Sequence, residues 1–275
     1  MISIIAALLS VSANSCTPVP GADRLWRPAV RWVVVGELHG TNETPLAFAN
    51  LVCLASAAGR AVTVAVEYPS DSQRDIDAYL ASNGNRHALS SFLKIPVFTA
   101  AMQDGRGSVA FIRMWDRLRR MKRAGNIANV VASDISRSDS PGQQRDETMA
   151  KAWINIAVPD NGIVLTLVGN VHAMRKPLSI AGRTIITAGS LMPAERTITV
   201  NVVGSGGTAW NCQADGCKMH TNGHASSMPG GISYLTDADR RWDALYHLGK
   251  PTTWAAPALT PKVLEPPSRM NVNGR

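Results

Sequence analysis

Four short apolar runs, each stopping at ionisable residues, constrain this chain more than any other feature. Trp32 to Val35 passes through Gly36 into Glu37-Leu38-His39-Gly40-Thr41-Asn42-Glu43. Val62 to Val66 stops at Glu67, Asn129 to Ala132 leads to Ser133-Asp134, and Ile163 to Val168 runs into Gly169-Asn170-Val171-His172. Runs of this length, rich in Val and Ile, are the size of buried strands. Longer stretches with helical spacing separate them: Pro45 to Ala58, closed by Gly59, then Ser72 to Leu80, Ser108 to Ala124, closed by Gly125, and Arg145 to Ala157. The alternation predicts an α/β fold with a mostly parallel (mixed) central sheet and helices on both faces. Thr184 to Thr187 and Thr197 to Val203 are expected to extend that sheet. In a parallel sheet the carboxyl ends of the strands share one edge, where open α/β folds bind ligands. Glu37, His39, Glu67 and His172 are therefore expected to meet in one cleft.

The residue types at that edge carry chemistry. A carboxylate such as Glu67, directly after an apolar run, is costly to bury without a partner. His39 and His172 stand beside glycines and make poor core histidines. Two imidazoles among carboxylates suit a water-activating base, a proton shuttle or a metal centre. Glu43 and Asp134 belong to the same edge. Each also has a structural reading, Glu43 as an acid at a helix start and Asp134 as a cap. His247, within Leu245-Tyr246-His247-Leu248-Gly249, is a late candidate for the cleft as a substrate-binding residue.

At the N-terminus, apolar Ile2 to Val11 precedes Ser12-Ala13-Asn14-Ser15-Cys16. This has the shape of a secretory apolar region and cleavage zone. Residues 1–20 read as a signal peptide, and the protein as exported, periplasmic or extracellular. Membrane attachment would come only through a lipid on Cys16. Cys212 and Cys217 bracket a short loop and read as a local disulfide, with zinc held together with His220 and His224 as the alternative. Cys53 reads as a core residue. Residues 30–250 form the expected single domain, and 251–275 a Pro-rich tail, packed along the surface or disordered.

A formal charge of +8 and a pI near 9.7 raise the question of nucleic acid. The densest basic run, Arg117, Arg119, Arg120, Lys122 and Arg123, interleaves with Phe111, Ile112, Met114, Trp115, Leu118 and Met121 at helical spacing, and reads as a solvated helix face. No nucleic-acid module is recognisable, so the expected partner is a small-molecule ligand or substrate.

Gly-Glu-Leu-His-Gly-Thr-Asn-Glu (36–43), the strand ending in Glu67, and Gly-Asn-Val-His-Ala (169–173) together resemble the superfamily that joins ChaN-type haem-binding lipoproteins, erythromycin esterases and Tiki/TraB-type proteins. Gln103 to Ser108 and Arg145 to Ala150 are similar to the ChaN-like branch, with a looser echo around Tyr246 to Gly249. The esterase branch implies a hydrolase of esters, lactones or amides. His39 would deprotonate water, Glu37, Glu43 or Glu67 would orient it, His172 would donate a proton or hold the oxyanion, and Arg106 would bind an acidic substrate group. The other branches imply a haem- or metal-binding uptake protein without turnover. In that reading His39, Glu67 and His172 would be ligands to haem or a divalent metal.

Overall fold

The computed structural model describes residues 16–136, 143–180, 182–223 and 228–259. Residues 1–15 of the signal peptide expected at 1–20, His224 as a zinc ligand, and the end of the tail lie outside the described residues. Residues 16–20 are described and held in the fold, Cys16 by a disulfide and Pro20 by accepting the Ile232 N–H. The strands are β1 (Trp32–Glu37), β2 (Ala61–Pro69), β3 (Asn129–Asp134), β4 (Gly162–Gly169), β5 (Leu178–Ile180), β6 (Arg183–Ile185), β7 (Thr197–Val203), β8 (Thr208–Gln213), β9 (Gly216–Thr221), β10 (Gly231–Tyr234) and β11 (Ala244–His247). The helices are α1 (Thr44–Ala57), α2 (Gln73–Ala81), α3 (Arg86–Phe92), α4 (Pro96–Thr99), α5 (Val109–Arg123) and α6 (Gln143–Ile154).

Seven strands form the central sheet in the order β10-β11-β7-β1-β4-β2-β3. Every neighbouring pair is parallel except β10 with β11. The chain steps outward from β1 to β2 and β3, then turns back to insert β4 between β1 and β2. Right-handed crossovers require that reversal to switch the covering helices to the opposite face. Accordingly, α1, α2 and α5 cover one face through Phe48, Leu51, Ile76, Met114, Trp115 and Leu118. The other face is covered by α6, through Met149, Ala150 and Trp153, and by the turn around Ala188 and Met192. The expected α/β architecture is therefore the observed one.

Several local expectations change. β6 is exposed along its length and, among the described residues, pairs with β5 alone, leaving the central sheet to β7. Its short run has no apolar face worth burying. Arg119, on the basic run of α5, is buried and bonded to Asp116 Oδ1 and the Ser82 carbonyl, so that face is not uniformly solvated. Cys16 is bonded to Cys53 on α1, and the backbone of Thr17 exchanges hydrogen bonds with the Asn50 carboxamide. A sulfur committed to a disulfide cannot carry a thioether-linked lipid, so the anchor expected at Cys16 is withdrawn, and Cys53 is a bridge rather than a free core thiol. Cys212 and Cys217 face each other in the β8–β9 hairpin and form the second disulfide. His220 there pairs with Asp215. Two disulfides fit an exported protein that folds in an oxidising compartment. Among the described residues no helix is long and apolar enough to cross a membrane.

The start of the expected tail is built into the fold. Thr252 and Ala255 are buried, Trp254 bridges to Thr41, and Ala255 N–H donates to the Gly40 carbonyl.

Candidate active site

The carboxyl ends of β1, β4, β2 and β3 lie side by side, so Glu37, Gly169, Glu67 and Asp134 come to one edge by strand order alone. Beyond β1 the chain turns sharply at Gly40, whose φ of +79° is in the left-handed region. A side chain there would strike the Trp210 carbonyl, and that residue's N–H donates to the Gly40 carbonyl. The β8–β9 hairpin and residues 252–255 thus clamp the turn that presents His39.

His39 Nδ1 lies 2.8 Å from Glu37 Oε1, and Nε2 lies 3.7 Å from Glu67 Oε2. Gly169 makes this approach possible. A Cβ on it would stand 3.2 Å from His39 Nε2, 3.4 Å from His172 Cδ2 and 3.5 Å from Glu67 Oε2. The Glu37 side chain is 1% exposed and His39 is 19% exposed, so the imidazole is the outlet of the pair towards the cleft. Glu37 Oε2 is buried with no hydrogen-bond partner. Burial pushes the Glu37 carboxyl above its ordinary value, more than His39 pulls it down. On His39 burial works downward, but Glu67 and then Glu37 outweigh it, and the imidazole holds its proton above the usual range.

Beyond β4 the electrostatics reverse. Glu67 Oε2 accepts the Gly169 N–H at 2.6 Å, while Oε1 takes Arg106 Nη1 at 3.0 Å and also bonds Arg145 Nη2. Arg145 grips Asp134 with Nε at 2.8 Å and Nη2 at 2.7 Å, and its Nη1 lies 3.0 Å from His172 Nε2. Since a guanidinium can only donate, His172 Nε2 must accept. Nδ1 then carries the proton and donates to Asp146 Oδ1 at 2.8 Å. Asp146, buried, also accepts the Ala188 N–H. Burial alone would raise the Glu67 carboxyl, but Arg106, His39 and Arg145 together hold it well below the ordinary carboxylate range. Arg106 and Arg145 are in turn held above theirs, against burial, chiefly by Glu67 for Arg106 and by Asp134 for Arg145.

The structure thus brings together Glu37, His39, Glu67, Asp134 and His172. Arg106 is present as a clamp rather than as a free substrate-binding cation. Its guanidinium faces Asp104 Oδ2, the Glu67 carboxylate and carbonyl, and Asp134. Glu43 turns away and accepts the N–H and hydroxyl of Thr253 at 2.9 and 2.8 Å. His247 ends β11, beside Ser233 in a neighbouring cavity. Arg145, Asp146 and Asp104 were not among the predicted site residues. Their one signal was the family-like stretches that contain them, since an Arg-Asp pair opening a helix is otherwise an unremarkable surface pattern.

A divalent metal does not fit this donor set. Among the described residues no three His, Cys, Asp or Glu side chains are arranged to hold a metal ion. Arg145 stands between Glu67 and His172, placing a fixed cation among the proposed ligands.

No family model matches the sequence, and no curated protein matches it. Solved structures do. The chain is similar to an erythromycin esterase mutant, EreC, in its open conformation, with a TM-score of 0.59 and 10% identity over 86% of this chain and 93% of that one. The chain has the erythromycin-esterase fold. A Bacillus cereus protein shares it, with a TM-score of 0.55 and 11% identity over 90% of this chain and 96% of that one. Bacterial protein toxins match over 77% of this chain at 17% identity and a TM-score of 0.44, and the chain spans only 40% of their length. The fold implied by the motif resemblance is the fold observed.

Proposed function

We propose that the protein is an exported hydrolase of esters, lactones or amides, acting in the periplasm or outside the cell, with His39 as the water-activating base. The observation that supports this reading is the Glu37–His39–Glu67 row, a half-open imidazole fixed on one nitrogen by a buried carboxylate and facing a second carboxylate with the other. Glu37 fixes the tautomer that leaves the Nε2 lone pair towards the cleft. His39 takes a proton from water as the water oxygen bonds to the substrate carbonyl carbon. Glu67 Oε2 faces the imidazolium that forms. The negative charge then gathering on the carbonyl oxygen is met by Arg145, whose Nη1 has a second hydrogen beside the one given to His172. Collapse of the adduct breaks the bond to the leaving oxygen or nitrogen, which receives the proton from His39. His172 is in this reading an orienting group for Arg145, because its Nε2 already accepts a hydrogen bond and cannot also donate a proton.

Positioned general bases contribute about 10²–10⁴-fold. Screening the full chain on ester, lactone and amide panels, with and without EDTA, should find turnover that survives the chelator. That turnover should fall by about two to four orders of magnitude in His39→Ala. Full activity of His39→Ala on the substrate found would overturn the assignment.

A further inference from the structure

Between α1, α5 and the end of β11 lies a cavity of about 540 Å³ whose walls hold three cations, Arg113 and Arg117 of α5 and Lys250. Arg113 and Arg117 are neighbours on one helix face, where like charges repel. The single acid of α5, Asp116, is taken by Arg119 and Arg120. Among the described residues the side chains of Arg113 and Lys250 have no hydrogen bond or ion pair, and partly buried Arg117 has a neutral partner, Asn50 Oδ1 at 3.3 Å. Burial, and then Arg120, hold the Arg117 guanidinium below its ordinary value.

The same wall holds one carboxylate, Glu43, both of whose oxygens accept from Thr253. Residues 1–15, which lead to Thr17 of the lining, contain no Asp or Glu. Asp139 follows β3, the strand at the end of the sheet away from β11, and Leu259, the last described residue before Glu265, lines a separate cavity beside Leu89 and Leu93 of α3. Tyr246 adds a neutral donor. It lies on β11 in the lining, is only 8% exposed, and its hydroxyl makes no hydrogen bond. That oxygen is nevertheless not among the atoms sealed from solvent, so the little of Tyr246 that reaches open space includes an unfilled O–H. Leu46 and Leu248 give the cavity an apolar side.

We propose that this cavity binds a small organic phosphate, with its oxyanion held by Arg113, Arg117, Lys250 and the Tyr246 hydroxyl and its carbon part against Leu46 and Leu248. Guanidinium forks match phosphate oxygens and form charge-assisted hydrogen bonds with them. Three cations against one acid leave two positive charges at the site. A phosphate monoester, which carries roughly two negative charges above neutral pH, balances them, and a monocarboxylate does not. The binding stands apart from turnover at His39 and does not rest on the hydrolase reading.

Isothermal titration calorimetry on the full chain, at about pH 8 and low salt, tests this with phenyl phosphate and benzoate as probes. Phenyl phosphate is expected to bind at a single site, about tenfold more tightly than benzoate. Arg117→Gln should weaken it about tenfold, the loss of one charge-assisted hydrogen bond, and Tyr246→Phe about fivefold, the loss of a neutral one. Tyr246→Phe is the stricter variant, because the general pull of a basic surface on an anion does not depend on a tyrosine hydroxyl. Lys250→Gln, at an exposed position, should also weaken binding and serves if Arg117→Gln does not fold. Arg183→Gln, which removes an exposed charge on β6, and His39→Ala should leave the affinity unchanged. No binding of phenyl phosphate, equal binding of benzoate, or unaltered binding in the folded cation variant or in Tyr246→Phe would overturn the site. So would a loss in Arg183→Gln or His39→Ala as large as that in Arg117→Gln. Binding without any hydrolytic turnover would overturn the hydrolase reading alone, and turnover sensitive to His39 without binding would overturn this site alone.

Discussion

β4 divides the carboxyl edge of the sheet into two unlike halves. On the β1 side, Glu37 and His39 form a sparse pair, with one carboxylate oxygen unbonded and one imidazole nitrogen free of any hydrogen bond nearer than Glu67 at 3.7 Å. On the β2–β3 side, Glu67, Asp134 and Asp104 are saturated by two guanidiniums, and His172 is spoken for on both nitrogens. The difference separates reactivity from support. A group that must exchange a proton needs an unfilled position, whereas a group that must hold an electrostatic field needs every position filled. The same comparison locates the pH sensitivity. The lowered Glu67 carboxyl contributes stability above the ordinary glutamate range that is lost only as pH falls through its depressed folded value. The raised His39 contributes stability below pH 6.5 that is lost as pH rises through its folded value.

The sharpest way to break the comparison is Arg106→Met. If the clamped half is structural, removing its most buried cation leaves Glu67 and Asp104 short of a partner, and stability should drop by about 3–5 kcal/mol, read as the midpoint of denaturant unfolding. A variant as stable as wild type would mean that the saturated network is ornamental. Next comes the Cys16–Cys53 bridge, which ties the first described residues to α1 and contributes no side chain to either half. Replacing both cysteines with serine should cost about 2–4 kcal/mol while leaving turnover per folded molecule unchanged. The smallest effect is expected for Glu43→Gln. This carboxylate holds the exposed Thr253 segment instead of the cleft, so the loss should stay under about 1 kcal/mol, with kcat/KM within about twofold. A loss of a hundredfold would return Glu43 to the reactive half.

Much of this edge was legible in the sequence because strand polarity does the work. Each apolar run is the right length for a buried strand, and a parallel sheet brings Glu37, Glu67, Asp134 and His172 together whatever the details of packing. The partners were harder to read. Arg145 and Asp146 sit at the start of a helix, where charge is commonplace, and only the third dimension shows them turned inwards. Arg106 and Glu43 were seen as site residues, but nothing in a linear chain tells an arginine aimed at substrate from one consumed by three carboxylates, or shows that Thr253 would reach back to Glu43. The short β6 run failed for a different reason. β-propensity without an apolar face gives a hairpin, but not a place in the central sheet.

The pH dependence of kcat/KM, measured for the wild type and for Glu67→Gln, tests the reactive half most directly, because it reads the base itself. With His39 as base beside an anionic Glu67, the acid limb of the wild-type profile should have its midpoint above 6.5, the ordinary histidine value. Glu67→Gln should move that midpoint downward by removing the charge that most raises it. A wild-type midpoint at or below 6.5, or one that Glu67→Gln leaves in place, would contradict the account.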